Sequence, residues 1–227
     1  MLSPGLLKTP EDFRAALDEA LGKTKAHAQE LEKAAAIGTD VHASIEKGLR
    51  EDLGMPPAKI EKSTLSDESK IVAARAFGSY SDWKIKSDFK PRLIETTVYS
   101  LEYEFAGTLD VLGDHLVEGS DQRFVSVGDW KTSRYIYLSA CMQIAAYRVA
   151  ALEMGLHTEG PLNGIILRLP KLANDPAFEV RFIPEAELVE LYFPAFLACM
   201  ELWKSEQAYK KRYPWKGNKK DKKKDKS

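Results

Sequence analysis

Ala106-Gly-Thr-Leu-Asp-Val-Leu112, followed after a turn by Phe124-Val-Ser-Val-Gly-Asp-Trp-Lys-Thr-Ser133, has the composition of two successive β-strands. Gly113-Asp114 and Glu118-Gly-Ser-Asp121 punctuate the return between them. Residues i and i+2 of a strand share a face, so Asp129 and Lys131 emerge together. Pairing with the preceding strand brings Asp110 beside them. Two carboxylates and an ammonium drawn to one point are costly to desolvate unless a cation and an anion complete the group. A divalent metal ion and a phosphate would do both.

The triplet Asp-X-Lys is weak by itself, since a chain of this length holds roughly one by chance. Asp82-Trp-Lys84 repeats the same tripeptide and Asp88-Phe-Lys90 has the same form. Neither has a β-run before it or a Gly-Thr-X-Asp strand upstream, so both read as solvated surface. Context singles out Asp129 and Lys131.

Four segments in order, Gly38-Thr-Asp-Val-His42, Gly107-Thr-Leu-Asp110, Asp129-Trp-Lys131 and Gln143-Ile-Ala-Ala-Tyr147, resemble the PD-(D/E)XK nuclease superfamily. Their order is similar to the RecB-like exonuclease branch, which includes phage exonucleases and the mitochondrial genome maintenance exonuclease. The likeness runs from about Ala34 to Trp203. It implies an α/β fold with a restriction-endonuclease-like core, a small central mixed β-sheet flanked by α-helices. It also implies a site in which His42, Asp110, Asp129 and the backbone carbonyl of Trp130 bind Mg²⁺ or Mn²⁺. Lys131 would orient the attacking water or balance charge, and Gln143 and Tyr147 would position the substrate strand. Glu95 resembles an acidic position often seen before the metal strand, with a supporting role or a plain surface role both open. Glu46 shares a helical face with His42 and reads as structural, holding the imidazole or a nearby cation. Several relatives carry an iron–sulfur cluster on four cysteines; the two here, Cys141 and Cys199, cannot supply one. Both lie in apolar helical patterns and read as buried thiols.

At 227 residues the chain is long enough to bury about 70% of its unfolded surface as one domain. The organisation expected is a nuclease domain over 1–215 and a disordered tail over 216–227. The net charge of −1 conceals an asymmetry: the tail holds seven Lys and two Asp, a net +5, which leaves −6 on the rest. Attraction to a nucleic acid must therefore be local. No apolar run is long enough to span a membrane, and the N-terminus lacks a signal-like pattern, so the chain reads as cytoplasmic, in a bacterial or phage-infected cell.

Thr9-Pro10-Glu11-Asp12 reads as a helix start, with helices expected to about Leu21, over Lys25–Ala36, and from Thr39 or Asp40 to Glu51, Gly38 being the break. Gly22-Lys-Thr24 lacks the upstream Gly and strand of a phosphate-binding loop. Further helices are expected near Ser66–Phe77 and Ser81–Ser87, with Phe77 and Trp83 covering the core. Leu93–Leu101 reads as a strand. Tyr137–Met154 is a helix burying Ile144, Ala145 and Val149. Leu162–Leu169 and Phe178–Ile183 are strands, and the last helix runs from Pro184 to Lys211 with a kink at Pro194.

The activity these readings imply is a metal-dependent DNA exonuclease acting on free ends, favouring single strands, with a phage or host recombination or replication protein as possible partner. A structure-selective or restriction-like endonuclease would use the same residues. A non-catalytic DNA-binding relative would be expected to have lost acids that are present here. The Lys-rich tail is either a solubilising end or a tether whose cations displace counterions from DNA phosphates. If it is a tether, deleting residues 216–227 weakens DNA binding and flattens its salt dependence, while turnover at saturating DNA is unchanged. Identical salt slopes for the full-length and truncated proteins would leave the tail only a solubilising role.

Overall fold

Every residue of the strand Leu162–Arg168 is buried, which marks it as an inner strand covered on both faces. It belongs to a five-stranded mixed sheet in the order β1 (Lys90–Ser100), β2 (Phe105–Leu116), β3 (Arg123–Lys131), β4 (Leu162–Arg168) and β5 (Glu179–Ile183). The first three strands form an antiparallel meander, β3 and β4 are parallel, and β5 returns antiparallel. A parallel neighbour requires a crossover. Helix α3 (Leu138–Glu153) provides it, close to the Tyr137–Met154 expected from sequence. The computed structural model describes residues 10–58, 65–171 and 175–214, with side chains from residue 28 onward except at 29. Thr9 and the Lys-rich tail lie outside the described residues.

Helices cover both faces, so the α/β class and the small central mixed sheet are as expected. Helices α1 (Pro10–Asp52) and α2 (Asp67–Lys86) lie on one face. Ile37, Val41, Ile45 and Leu49, one stripe at four-residue spacing, pack there with Ala76, Tyr80, Trp83, Val111, Trp130 and Ile165. Trp83 is buried and Phe77 packs against the same layer, as expected. Helix α3 covers the other face, where Ile144, Ala145 and Ala150 meet Leu109, Leu112, Val127 and Ile166. Val149 is only half-buried; Arg148 is buried in its place, donating to the Leu162 carbonyl at 2.9 Å and pairing with Glu185. Among the described residues no helix is long and apolar enough to cross a membrane.

Three expectations about the helices are corrected. Helix α1 runs unbroken through Gly22 and Gly38 instead of forming three pieces. A mid-helix glycine costs only about 1 kcal/mol, which the buried stripe on either side outweighs. Gly38 is a contact position, since a Cβ there would lie 2.9 Å from Thr132 Oγ1 just beyond β3. Helix α2 likewise joins the two helices expected near 66–77 and 81–87, starting at Ser66, whose side chain accepts from the Ser69 amide at 3.3 Å. At the C-terminal end, α4 (Glu185–Glu187) widens into a π-turn over Leu188–Tyr192 and continues as α5 (Phe193–Arg212). The wide turn sits immediately before Pro194, where the missing N–H makes an ordinary turn least favourable. Both cysteines are free, but only Cys141 is buried; Cys199 on α5 is exposed.

Trp130, 1% exposed, is the largest fully buried side chain among the described residues, with ring centres of Tyr80, Trp83 and Phe89 at 5.2, 6.1 and 6.3 Å from its own. Trp130→Ala is expected to destabilise by about 3–5 kcal/mol. Trp203→Ala, at a residue 60% exposed on α5, is expected to stay within about 0.5 kcal/mol of wild type. Denaturant unfolding of the two variants checks both values, and equal losses would mean that the aromatic cluster is not the anchor of β3.

Candidate functional site

The ladder between β2 and β3 stops at Val111 and Gly128, so Asp110 and Asp129 stand at the mouth of a fork. The next amide of β3, Trp130 N–H, donates to Asp110 Oδ2 at 3.0 Å in place of a strand partner. A carboxylate thus takes over the ladder where the strands part.

The pleat also changes face here. Leu109 and Val111 are two apart and would share a face in a regular strand, yet they lie in opposite core layers, as do Ile94 and Val98 across on β1. Between Ile94 and Val98 sits Glu95 with φ +44°, a left-handed conformation that a side chain rarely adopts. Strain of this kind persists where the surroundings over-determine it, commonly at functional sites.

Asp129 and Lys131 leave β3 on the α3 side, as alternation requires with Trp130 buried on the other. Lys131 Nζ lies 2.8 Å from each oxygen of Asp129. Only the contact to Oδ1 has hydrogen-bond geometry; Oδ2 is a buried oxygen without a hydrogen-bond donor. Lys131 also donates to Gln143 Oε1 at 3.1 Å, and Gln143 Nε2 donates to the Tyr147 hydroxyl at 3.1 Å. An ammonium can only donate, which fixes the amide oxygen toward Lys131 and its nitrogen toward Tyr147. The phenolic oxygen accepts, so its own hydrogen points elsewhere. The Tyr147 ring packs directly on β2 because residue 107 is glycine: a Cβ there would be 2.5 Å from Tyr147 Cε1.

His42 reaches the fork from α1, its backbone held by the neighbouring buried Val41 and Ile45. Its Nε2 donates to the Trp130 carbonyl at 2.7 Å, and its Nδ1 stands 3.6 Å from Asp110 Oδ2. A carbonyl can only accept, so Nε2 carries a proton, and Nδ1 is the ring nitrogen that faces the carboxylate. The Trp130 carbonyl keeps a second lone pair.

All seven residues expected at the centre, His42, Asp110, Asp129, Trp130, Lys131, Gln143 and Tyr147, meet at one end of the sheet. Glu95 lies beside them. Burial first, then Asp110 and Glu46, push its carboxyl up to about 7, with Arg50 opposing. Glu46 holds a cation and not the imidazole: Arg50 Nε donates to it at 2.7 Å. Burial, with the Asp110 charge adding to it, raises the Asp129 carboxyl against the pull of Lys131. The two control triplets are elsewhere. Asp82 and Lys84 lie on α2, Lys84 paired with Asp52, and Asp88 pairs at the surface with Lys90 and Arg123, each at 2.7 Å. The i,i+4 spacing of Glu46 and Arg50 on a helix was a signal that could have found Arg50, whereas nothing in the sequence pointed to Thr132 beside Gly38.

Among the described residues no three His, Cys, Asp or Glu side chains are gathered into a ready metal cage. The donor chemistry nonetheless fits a hard divalent cation: a buried carboxylate oxygen without a donor, a second carboxylate close enough to repel it, an imidazole and a carbonyl. Comparison with protein-family models and with curated proteins yields no match.

A carboxyl raised in the folded state binds protons that the unfolded chain has already released, so its contribution to stability falls as pH rises above its ordinary value near 4. Asp129→Asn removes that loss. Relative to wild type in EDTA, the Asn variant is expected to gain at least about 2 °C in Tm between pH 5 and pH 8. His115, buried and lowered by that burial, acts equally in both proteins and cancels. A pH-independent difference in Tm would mean that Asp129 is not held against its charge.

Proposed function

We propose that the chain is a metal-dependent deoxyribonuclease of the PD-(D/E)XK kind, an exonuclease that hydrolyses phosphodiester bonds from DNA ends. One observation carries the reading: at the fork of β2 and β3, Asp110 and Lys131 flank the buried Asp129, one oxygen of which has no hydrogen-bond donor. Lys131 is in ionic contact with both oxygens but hydrogen-bonds only one, so the lone pairs of the other stay open to a metal ion.

Asp110, Asp129, His42 and the Trp130 carbonyl are the residues that would hold Mg²⁺ or Mn²⁺. Such an ion would supply Lewis-acid polarisation of the phosphate and a more acidic water. The remaining work belongs to the chain. Asp129 and Gln143 hold two hydrogens of the Lys131 ammonium, and the third is left for a phosphate oxygen or the attacking water, where charge develops. His42 is aimed by its bond to Trp130, whose indole is locked in the core. The Tyr147 hydroxyl, accepting from Gln143, offers its hydrogen to the substrate strand. The raised Asp129 carboxyl would make cation binding compete with protons below neutrality. On this reading the chain acts in DNA recombination, repair or replication in the cytoplasm, possible partners being phage or host proteins of those processes.

Asp110→Asn, Asp129→Asn and Lys131→Ala are each expected to lower Mg²⁺- or Mn²⁺-dependent cleavage by roughly a thousandfold or more. Lys84→Ala and Lys90→Ala, the internal controls, should remain near wild type. The assay uses end-labelled linear DNA beside a circle of the same sequence, and release of nucleotides from the linear form alone is the expected result. Cutting of the circle would reassign the chain as an endonuclease. Mn²⁺ should also raise the Tm of wild type but not of Asp129→Asn at pH 8, a readout independent of turnover. Full activity in any of the three site variants would remove that residue from the mechanism.

A further inference from the structure

Between Lys131 and the start of α3 the chain runs through Thr132-Ser-Arg-Tyr-Ile-Tyr137. The segment is anchored at both ends and in its middle. Lys131 O accepts from the Leu169 amide at 2.7 Å, Ser133 Oγ donates to the Tyr135 carbonyl at 2.8 Å, and Ile136 is buried in the core layer under α3. On either side of Ile136, Tyr135 and Tyr137 are 52% and 55% exposed. Their ring centres are 6.3 Å apart with planes at 86°, and the Arg134 guanidinium carbon lies 5.7 Å from the centre of the Tyr135 ring. Single exposed aromatics are ordinary. Two of them flanking a buried anchor, four and six residues beyond the reactive lysine and with a guanidinium against the first ring, form a corner of π-faces at the edge of the site.

We propose that Tyr135 and Tyr137, with Arg134, form a stacking corner for unpaired bases that feeds a single DNA strand to Asp129 and Lys131. This proposal rests on the nuclease reading above. A base lying on one ring meets the edge of the other, an arrangement that aromatic quadrupoles favour. Stacking is indifferent to base identity, because every base has a π-face. The guanidinium supplies a positive charge for the phosphates next to the stacked bases, and so offsets locally the acidity of the body of the chain. In a duplex the faces of the bases are already occupied by their neighbours. The corner therefore favours single strands or frayed ends over intact duplex, and it holds a strand without reading its sequence.

The test is fluorescence anisotropy with full-length protein carrying Asp129→Asn, to block cleavage, in Mg²⁺. Three probes are compared: a labelled 20-nucleotide oligothymidylate, a 20-mer of abasic sites with the same phosphates, and a blunt duplex. Adding Tyr135→Ala and Tyr137→Ala together is expected to weaken oligothymidylate binding about tenfold or more. Abasic binding should be unchanged, and the Tyr→Phe pair should restore the affinity, since a ring suffices for stacking. Both tyrosines are exposed, so unchanged melting should accompany the substitutions. Equal losses on oligothymidylate and abasic strands, no loss on either, or no binding of oligothymidylate at all would each overturn the stacking corner. The nuclease reading is judged separately, by metal-dependent cleavage of duplex and single strands by the protein with Asp129 intact. Cleavage of duplex alone would sink the corner and leave the nuclease standing.

Discussion

Trp130 can be buried on only one face of β3, and that constraint organises the site. Its indole fills the space under α1 and α2 among Tyr80, Trp83 and Phe89. With the strand period of two, Asp129 and Lys131 must then face α3. Rotating the strand to relieve their charges would pull the largest fully buried side chain out of the core, a penalty of several kcal/mol. The aromatic cluster thus keeps a costly polar arrangement in place. The same residue offers its amide to Asp110 and its carbonyl to His42, so one peptide unit on each side of Trp130 ties strand, sheet neighbour and helix together.

Acidity around the fork is concentrated far beyond what the fold alone needs. Burial first, and then the charge of Asp110, with Glu46 adding to it at Glu95, drives the Glu95 and Asp129 carboxyls toward their neutral forms. Lys131 and Arg50 answer part of that charge, one on each side. Glu95 additionally sits at a left-handed backbone position, where glycine would be easier. A chain selected for stability alone would relieve all of this with one amide or one small residue. Retained repulsion, retained strain and an undonated buried oxygen at a single point are what a cation-dependent centre would require of its protein.

Much of this was legible in the sequence, and the reasons differ by element. Asp110, Asp129 and Lys131 could be brought together because strand periodicity and antiparallel pairing are short-range rules that carry over directly to three dimensions. The strands and the helix after β3 followed from local β-rich and helical patterns, whereas the mixed sheet was what the family resemblance implied. Gly38 misled because glycine lowers helix propensity locally, whereas the stripe Ile37, Val41, Ile45 and Leu49 is satisfied only by packing on a sheet far away in sequence. The reason for glycine there, the approach of Thr132, joins residues 94 positions apart and leaves no trace in either segment. Cys199 misled in the opposite sense: an apolar neighbourhood in sequence does not guarantee a covering layer, and α5 has none of its residues buried. Glu46 and His42 share a helical face as expected, yet the nearer cation, Arg50 one turn on, takes the carboxylate.

Tyr147 shows how the sheet and the crossover helix depend on each other at the site. Lys131 can only donate, so Gln143 must turn its oxygen inward and its amide outward, and Tyr147 must then accept. The direction of donation runs one way, from β3 along α3 to a phenol whose own hydrogen faces out of the chain of bonds. That phenol occupies the volume which any side chain at residue 107 would fill. Glycine in the Gly-Thr-X-Asp strand and tyrosine four residues after glutamine on α3 are therefore one feature written in two places. Asp110 sits three residues along the same strand from Gly107. The glycine that admits Tyr147 and the acid that takes over the ladder are thus held at a fixed separation on β2.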